Sequence, residues 1–320
     1  MNDRKTTSPL SGGNLPQHNR GEYDVVILTE RRYVDPRKVD WYVRNLLKED
    51  GMLMAAFGER GLSAGRINWD HPHFDWSSTK YIVFRSTWDY FHRYPEFSAW
   101  LDRTKDKTGM INPYPTIRWN LDKHYLLDLE NRGIRIPPTE IVEPGEKGSL
   151  EERILRRGWT ECILKPAISG GARHTYRLNR QTVPEHEEIF HTLLKTESML
   201  IQEFQDSVIS EGEAAFMVFG GKFSHAVLKR AKKGDFRVQD DFGGTVHNYR
   251  PSRAEVEFAE KAVSVCDPLP AYARVDLIRD HKGQICVSEL ELIEPELWFR
   301  NKPSSAVECA KACMRYMNQP

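Results

Sequence analysis

The stretch that decides the fold is ICVSELELIEPELW, residues 285–298. Ile285, Val287, Leu290, Leu292 and Ile293 give it the apolar content of a strand, yet Glu289 and Glu291 stand inside it and Glu294 follows. Side chains alternate faces along a strand, so Glu289 and Glu291 point the same way, about 6.6 Å apart. Like charges on one face repel, and burying them without partners is costly. Either that face is solvated, as one face of many antiparallel sheets is, or a cation rests on it. The preceding YARVDLIRD (272–280) also has strand character, and DHKG (280–283) turns the chain, with Gly283 suited to a positive φ. Pairing Arg279 with Gln284 sets Asp276 opposite Val287, on the face of Glu289 and Glu291 and together with Arg274. A slip of one residue sends Asp276 to the other side. Three carboxylates on one face suit a hard divalent cation. Mg²⁺ commonly completes such a set with phosphate oxygens and water.

Two segments have the composition to meet phosphates. Lys165 ends the apolar run ECILK and precedes PAISGGA, where Ser169, Gly170 and Gly171 let backbone N–H groups approach an anion. The order is neither a Walker A loop nor GxGxxG. The second, KRAKKGDFRVQDDFGG (229–244), sets Lys229, Arg230, Lys232, Lys233 and Arg237 among Gly234, Gly243 and Gly244. A basic, glycine-flanked loop has the make-up of a lid over a polyphosphate. An ordinary turn and an ordinary solvated loop are the plain alternatives.

Working outward, YDVVILTE (23–30) and YIVFRS (81–86) read as buried strands. Helices are expected over 35–50, with Asp35-Pro36 as N-cap and first residue, and over 95–109. Strand alternating with helix predicts a parallel α/β sheet for roughly residues 21–110. Beyond 111 the pattern is α+β and mostly antiparallel. A helix from Leu121 stops at Gly133, 161–178 reads as strand, glycine loop and strand, 199–204 is a strand, and 213–230 is a hairpin turning at Gly220-Gly221. Helices follow at 254–266 and 304–317.

The chain has 320 residues, enough for two or three small domains. Its 46 basic and 46 acidic residues balance, which removes any general electrostatic case for nucleic acid or a membrane surface. No apolar run approaches the roughly 18 residues of a membrane span. Residues 1–20 lack the apolar core of a secretory signal and read as a flexible tail. Five cysteines without CxxC spacing fit a reducing cytoplasm, with Cys309 and Cys313 as buried thiols of one helix.

These pieces stand in the order of a known family. ILKP with its glycine loop, IQEF, GEAAFMVFGGKFSHAVLKR, GDFRVQDDFGG, ARVDLI and ELELIEP together resemble the ATP-grasp carboxylate–amine ligases, the superfamily of glutathione synthetase. RSTWDY (85–90) and RWNLDKHYLLDLENRGIRIPPT (118–139) are similar to its branch of O-ureido-serine cyclo-ligases of cycloserine biosynthesis. The resemblance covers residues 21–315. It implies an ATP-grasp fold: an N-terminal α/β substrate-side domain (21–112) and two antiparallel α+β lobes (113–198 and 199–320) enclosing ATP. It further implies Lys123 and Lys165 on the α- and β-phosphates, and Gln202, Glu203 and Phe204 along the adenine edge. Glu213, or Glu211 nearby, takes the ribose, and Ser169, Gly170 and Gly171 lie over the phosphates. Arg230 and Arg237 surround the transferred phosphoryl group. Asp276, Glu289 and Glu291 hold two Mg²⁺ ions, with Mn²⁺ an acceptable substitute. The family often has Asn where Glu291 stands.

The activity implied is ATP-dependent activation of an amino-acid-like carboxylate as an acyl phosphate, then capture by a nitrogen nucleophile. Arg85, Ser86, Trp88 and Asp89 follow a parallel strand at its carboxyl end, where open α/β sheets bind ligands. There Arg85 suits a substrate carboxylate and Asp89 an ammonium, and Arg274 is a second carboxylate partner. Partners are therefore small molecules, with self-association left open. The competing readings are a nucleotide-binding ATP-grasp protein without ligase chemistry and an unrelated metallohydrolase. None of the eleven histidines falls in an HExxH, HxxEH or HxH pattern.

Overall fold

A computed structural model describes residues 23–238 and 242–318. The expected tail, 1–20, and residues 239–241 of the basic loop lie outside them. Four strands, β1 (Val25–Thr29), β2 (Ala64–Asn68), β3 (Tyr81–Ser86) and β4 (Gly109–Ile111), form a parallel sheet in the order β2-β1-β3-β4. Val25 to Leu28 are fully buried, as the unbroken apolar run of a central parallel strand requires. Helices α1 (Trp41–Gly58) and α2 (Tyr94–Thr104) belong to this part. Helix α1 starts later than Asp35-Pro36 suggests. The Asp40 carboxylate accepts the Val43 N–H at 3.0 Å, while Val39 is 45% exposed and outside the buried stripe of Val43, Leu46, Leu53 and Phe57.

Next come α3 (Tyr114–Asn120) and α4 (Tyr125–Asn131), so Lys123 sits in the link between two helices rather than on one. Gly133, at φ 77°, follows α4. A second sheet, ordered β5-β8-β6-β7 and antiparallel, is made by β5 (Thr139–Val142), β6 (Glu161–Pro166), β7 (Tyr176–Asn179) and β8 (Met199–Glu203). Helices α5 (Leu150–Arg157) and α6 (Val183–Leu193) lie between its strands in sequence, followed by the short α7 (Ser207–Ser210). The third sheet is antiparallel in the order β11-β10-β9-β12-β13. Its strands are β9 (Glu213–Phe219), β10 (Lys222–Arg230), β11 (Thr245–Tyr249), β12 (Tyr272–Arg279) and β13 (Ile285–Glu291). Between β9 and β10, Gly220 (φ 55°) and Gly221 (φ 77°) make the two-residue turn with both φ positive that matches strand twist. Helix α8 (Arg253–Ser264) follows β11, and α9 (Ser304–Met317) carries the buried thiols Cys309 and Cys313. Among the described residues no helix is long and apolar enough to cross a membrane.

The register of β12 against β13 differs from the expected one. Arg279 pairs with Ile285, not Gln284, and Leu277 with Val287. Continued regularly, that ladder would set Asp276 opposite Ser288, on the face away from Glu289. Instead the pairing shifts between Asp276 and Leu277, Ser288 becomes an extra residue, and Asp276 meets Glu289 while Arg274 meets Glu291. The bulge, rather than simple alternation, brings Asp276 onto the acidic face.

Candidate active site

One oxygen of each of Asp276, Glu289 and Glu291 lies within 4.8 Å of the others. Asp276 is fixed on β12 and 1% exposed, and the two glutamates are half-buried on the edge strand β13. Basic side chains gather round them. Arg274 Nε donates to Asp276 Oδ1 at 2.9 Å, Arg274 Nη2 to Asp276 Oδ2 at 2.9 Å, and Nη2 also to Glu291. Lys229 Nζ stands 2.7 Å from Asp276 Oδ2 and 2.5 Å from Glu213 Oε1. Lys123 Nζ donates to the Ser169 carbonyl at 2.8 Å and lies 3.1 Å from Glu289 Oε1. Burial works to raise the Glu289 carboxyl, but the charges of Lys123, Lys165 and Arg274 outweigh it and hold it at about 2. Burial pushes Glu291 up to about 8, against the pull of Arg274 and with Glu289 and Asp276 adding to the rise. A hard, all-oxygen donor set that draws arginine and lysine counter-charges to itself fits Mg²⁺.

The acidic face is part of the wall of a cavity of about 900 Å³. Lys165, half-buried at the end of β6, also lines it. Burial brings its ammonium down to about 8, with Glu289 opposing and Lys123 assisting. The glycine loop between β6 and β7 arches over the cavity with three left-handed residues, Gly171 (φ 53°), Ala172 (φ 57°) and His174 (φ 46°). Arg173 holds it by two bonds of 2.8 Å to Glu197. Phe91 packs so closely that a Cβ on Gly170 would lie 2.6 Å from its ring. Ser169, Gly170 and Gly171 all face the cavity, as do Gln202, Glu203, Phe204 and Glu213. The expected backbone edge is partly engaged already. Glu203 N–H donates to Pro138 O at 2.9 Å and Phe204 N–H to Glu161 O at 3.1 Å. The Phe204 ring carries the Arg177 guanidinium at 4.0 Å.

The remaining expected residues divide. Arg237 lines the cavity, paired at 2.7 Å with Asp235, and Arg274 lines it too. Arg230 is exposed and not on the cavity wall. Glu211 is exposed, 3.4 Å from Arg279 and also off the wall. Trp88 and Asp89 face the cavity. Trp88 Nε1 donates to Glu294 O at 3.0 Å, and Asp89 accepts from Trp69 Nε1 at 2.7 Å and Arg93 Nη1 at 3.0 Å. Arg85 and Ser86 lie behind the wall rather than in it. Arg85 is 5% exposed, donates to Pro295 O at 2.5 Å and stands against Glu49 and Asp50 of α1 at 3.4 and 3.5 Å. Ser86 Oγ is hydrogen-bonded to Thr29 Oγ1 at 2.7 Å.

Three further residues join the site without having been given a role from sequence. Lys229 was visible only as one charge in a basic run, yet it stands directly across from Glu213 in the β9–β10 ladder. Glu294 lines the cavity, with its carboxyl pushed up by burial to about 7. Asn120 holds β13 in place, donating to Leu290 O and accepting from Leu292 N–H, both at 2.8 Å.

Residues 25–112 match the family model of the N-terminal domain of D-cycloserine synthetase DcsG, and residues 178–294 that of the RimK-like ATP-grasp domain. The cycloserine biosynthesis protein DcsG of Streptomyces lavendulae is 32% identical over 278 residues, which span 81% of this chain and 91% of that one. The crystal structure of D-cycloserine synthetase DcsG aligns with a TM-score of 0.79 at 27% identity, over 92% of this chain and 100% of its own. The D-alanine–D-alanine ligase of Bacillus anthracis, complexed with ATP, shares the fold at a TM-score of 0.60 and 12% identity, over 92% and 97% of the two chains. Together with the three sheets and the cavity between them, these matches show that the chain belongs to the family of the cycloserine synthetase DcsG, within the ATP-grasp ligases that form carbon–nitrogen bonds with ATP.

Proposed function

We propose that this ligase phosphorylates the carboxylate of an amino-acid-like substrate and joins the resulting acyl group to a nitrogen nucleophile. A carboxylate oxygen attacks the γ-phosphorus of ATP, the bond to the β,γ-bridging oxygen breaks, and ADP departs. The nitrogen lone pair then attacks the acyl carbon, the carbon–oxygen bond breaks, phosphate leaves and the nitrogen loses a proton. Residues 21–112 supply the substrate side, and 113–198 and 199–320 the two lobes around the nucleotide. Lys123 and Lys165 hold the α- and β-phosphates, Glu213 the ribose, and Gln202 to Phe204 one wall of the adenine site. Asp276, Glu289 and Glu291 hold two Mg²⁺ ions, replaceable by Mn²⁺. The bound metal screens charge on the phosphates as the phosphoryl group moves. Arg274 and Arg237 stabilise negative charge on the transferred group and the acyl oxygen.

The observation that carries this reading is the meeting of Glu289 and Glu291, with Asp276 beside them, on a cavity wall shared with Lys123 and Lys165, which come from separate parts of the chain. Three measurements test it. Asp276→Asn and Glu289→Gln should each lower Mg²⁺-dependent ATP turnover at least about 10²-fold with the fold retained by circular dichroism. With ATP, Mg²⁺ and an accepted acid, hydroxylamine should capture a hydroxamate. Oxygen-18 from the acid should appear in the released phosphate. Unlabelled phosphate from a consumed, labelled acid rules the mechanism out, and absence of any acid-dependent turnover leaves a nucleotide-binding protein of the same fold.

A further inference from the structure

The cavity wall contributed by the parallel sheet contains a carboxylate that the proposed chemistry does not use. Glu30 follows β1 at its carboxyl end, is 4% exposed and lines the cavity. Its backbone is fixed, with its N–H donating to Ser86 O at 2.8 Å and its carbonyl accepting from Tyr33 N–H at 3.2 Å. Oε1 is ion-paired with Arg32, but the buried Oε2 has no hydrogen-bond partner. An unpartnered buried carboxylate oxygen is expensive. Burial accordingly pushes this carboxyl up to about 7, with the charges of Asp89 and Asp70 adding to the rise and Arg32 opposing it.

The surroundings state what would relieve that cost. Tyr33 and Tyr42 pack on Trp88 at centroid distances of 5.9 and 6.0 Å, and all three rings line the cavity beside Glu30. Aromatic faces beside a carboxylate recognise cations. The chain already places one there: the Arg32 guanidinium, paired with Glu30, lies 4.6 Å from the centre of the Tyr33 ring. The Arg32 side chain is 64% exposed, so solvent can receive it when another cation arrives.

We infer that Glu30, with the rings of Tyr33 and Trp88, anchors a cationic nitrogen of the substrate, the ammonium of an amino acid. The inference rests on the ligase reading and narrows it. A nitrogen held as ammonium has no free lone pair, so this group is the handle by which the substrate is recognised, and a different nitrogen is the nucleophile.

The test compares D- and L-amino acids with their 2-hydroxy-acid counterparts as promoters of phosphate release from Mg²⁺-ATP. The wild type should favour the amino acid by about 10²-fold in kcat/KM, because its hydroxy analogue brings no positive charge to the buried carboxylate and the ring faces. Glu30→Gln should shrink that preference to a few-fold, through a raised KM for the amino acid, with KM for ATP unchanged. Tyr33→Leu, which keeps the carboxylate and removes a ring face, should shrink it in the same direction. Equal use of both acids by the wild type, or an unchanged preference in both variants, overturns the anchor and leaves the ligase reading standing. If no acid of either class promotes phosphate release, the ligase reading itself falls.

Discussion

At the scale of single residues, Lys229 is the most consequential charge in the acidic wall. It is 5% exposed and lies between Glu213 and Asp276. Removing one member of a buried ionic group leaves the others uncompensated and costs about 3–5 kcal/mol. Lys229→Met should therefore lower stability by about that amount in chelator, measured by guanidinium denaturation, and millimolar Mg²⁺ should return part of it, because a cation of the same sign then faces Asp276. Equal stability with and without Mg²⁺ in the variant counts against cation binding at Asp276. Sequence reasoning paired Glu289 with Glu291 because alternation along a strand is visible in one dimension, whereas it set Asp276 beside them through a regular register that the structure replaces with a bulge. It could not separate Lys229 from Arg230, which is exposed, since only the facing strand tells which one turns inward. The position of Arg85 behind the cavity wall was hidden in the same way. Its guanidinium is legible, but Glu49 and Asp50 behind it come from a helix whose packing against β3 has no mark in the sequence.

At the scale of elements, strands with long apolar runs were legible and diluted ones were not. β1 and β3 read directly, whereas β2 is AGRIN, whose Arg66 is accommodated only because Asp50 of α1 meets it at 2.8 Å. β11 has only Val246 and Tyr249 half-buried among exposed residues and offers little apolar signal. β10 carries a pH-sensitive element. His225 Nε2 donates to Leu297 O at 3.0 Å, and burial lowers its imidazole to about 4 despite the backbone carbonyls of Trp298 and Leu297. An unfolded histidine takes its proton near 6.5. As pH falls from about 6.5 to about 4, the unfolded chain binds a proton that the folded one refuses, so stability drops by an amount on the order of 3 kcal/mol, and this contribution levels off below that window. His225→Gln should flatten this part of the stability profile, followed by urea denaturation between pH 4 and 7. An unaltered slope removes His225 as its source.

At the scale of the molecule, two buried side chains join the parallel sheet to the acidic one. Asn112, just after β4, donates to Tyr272 O at 2.9 Å and Leu292 O at 2.7 Å and accepts from Ala271 N–H at 2.6 Å. The Tyr272 hydroxyl lies 2.9 Å from Ile293 O and 3.1 Å from Phe84 O. Asn112→Leu would leave two carbonyls and one N–H unpaired in the interior at about 1–3 kcal/mol each. A loss of at least about 3 kcal/mol in denaturant unfolding is expected, and a loss below about 1 kcal/mol would show that water replaces the amide. Neither residue drew notice in the sequence, where a lone Asn after a short apolar run looks like a turn. Connections of 160 or more positions along the chain leave no local trace.

The extra residue at Ser288 gives the acidic wall an arithmetic character. Whether Asp276 faces Glu289 depends on how many residues separate Gly283 from Glu289, more than on which residues they are. Exchange of Ile285 or Val287 for another apolar residue leaves that count intact. Loss or gain of one residue changes its parity and turns one carboxylate to the far side of the sheet, with every side chain of the site still present. For descendants of this chain the segment is therefore permissive to spelling and intolerant of length.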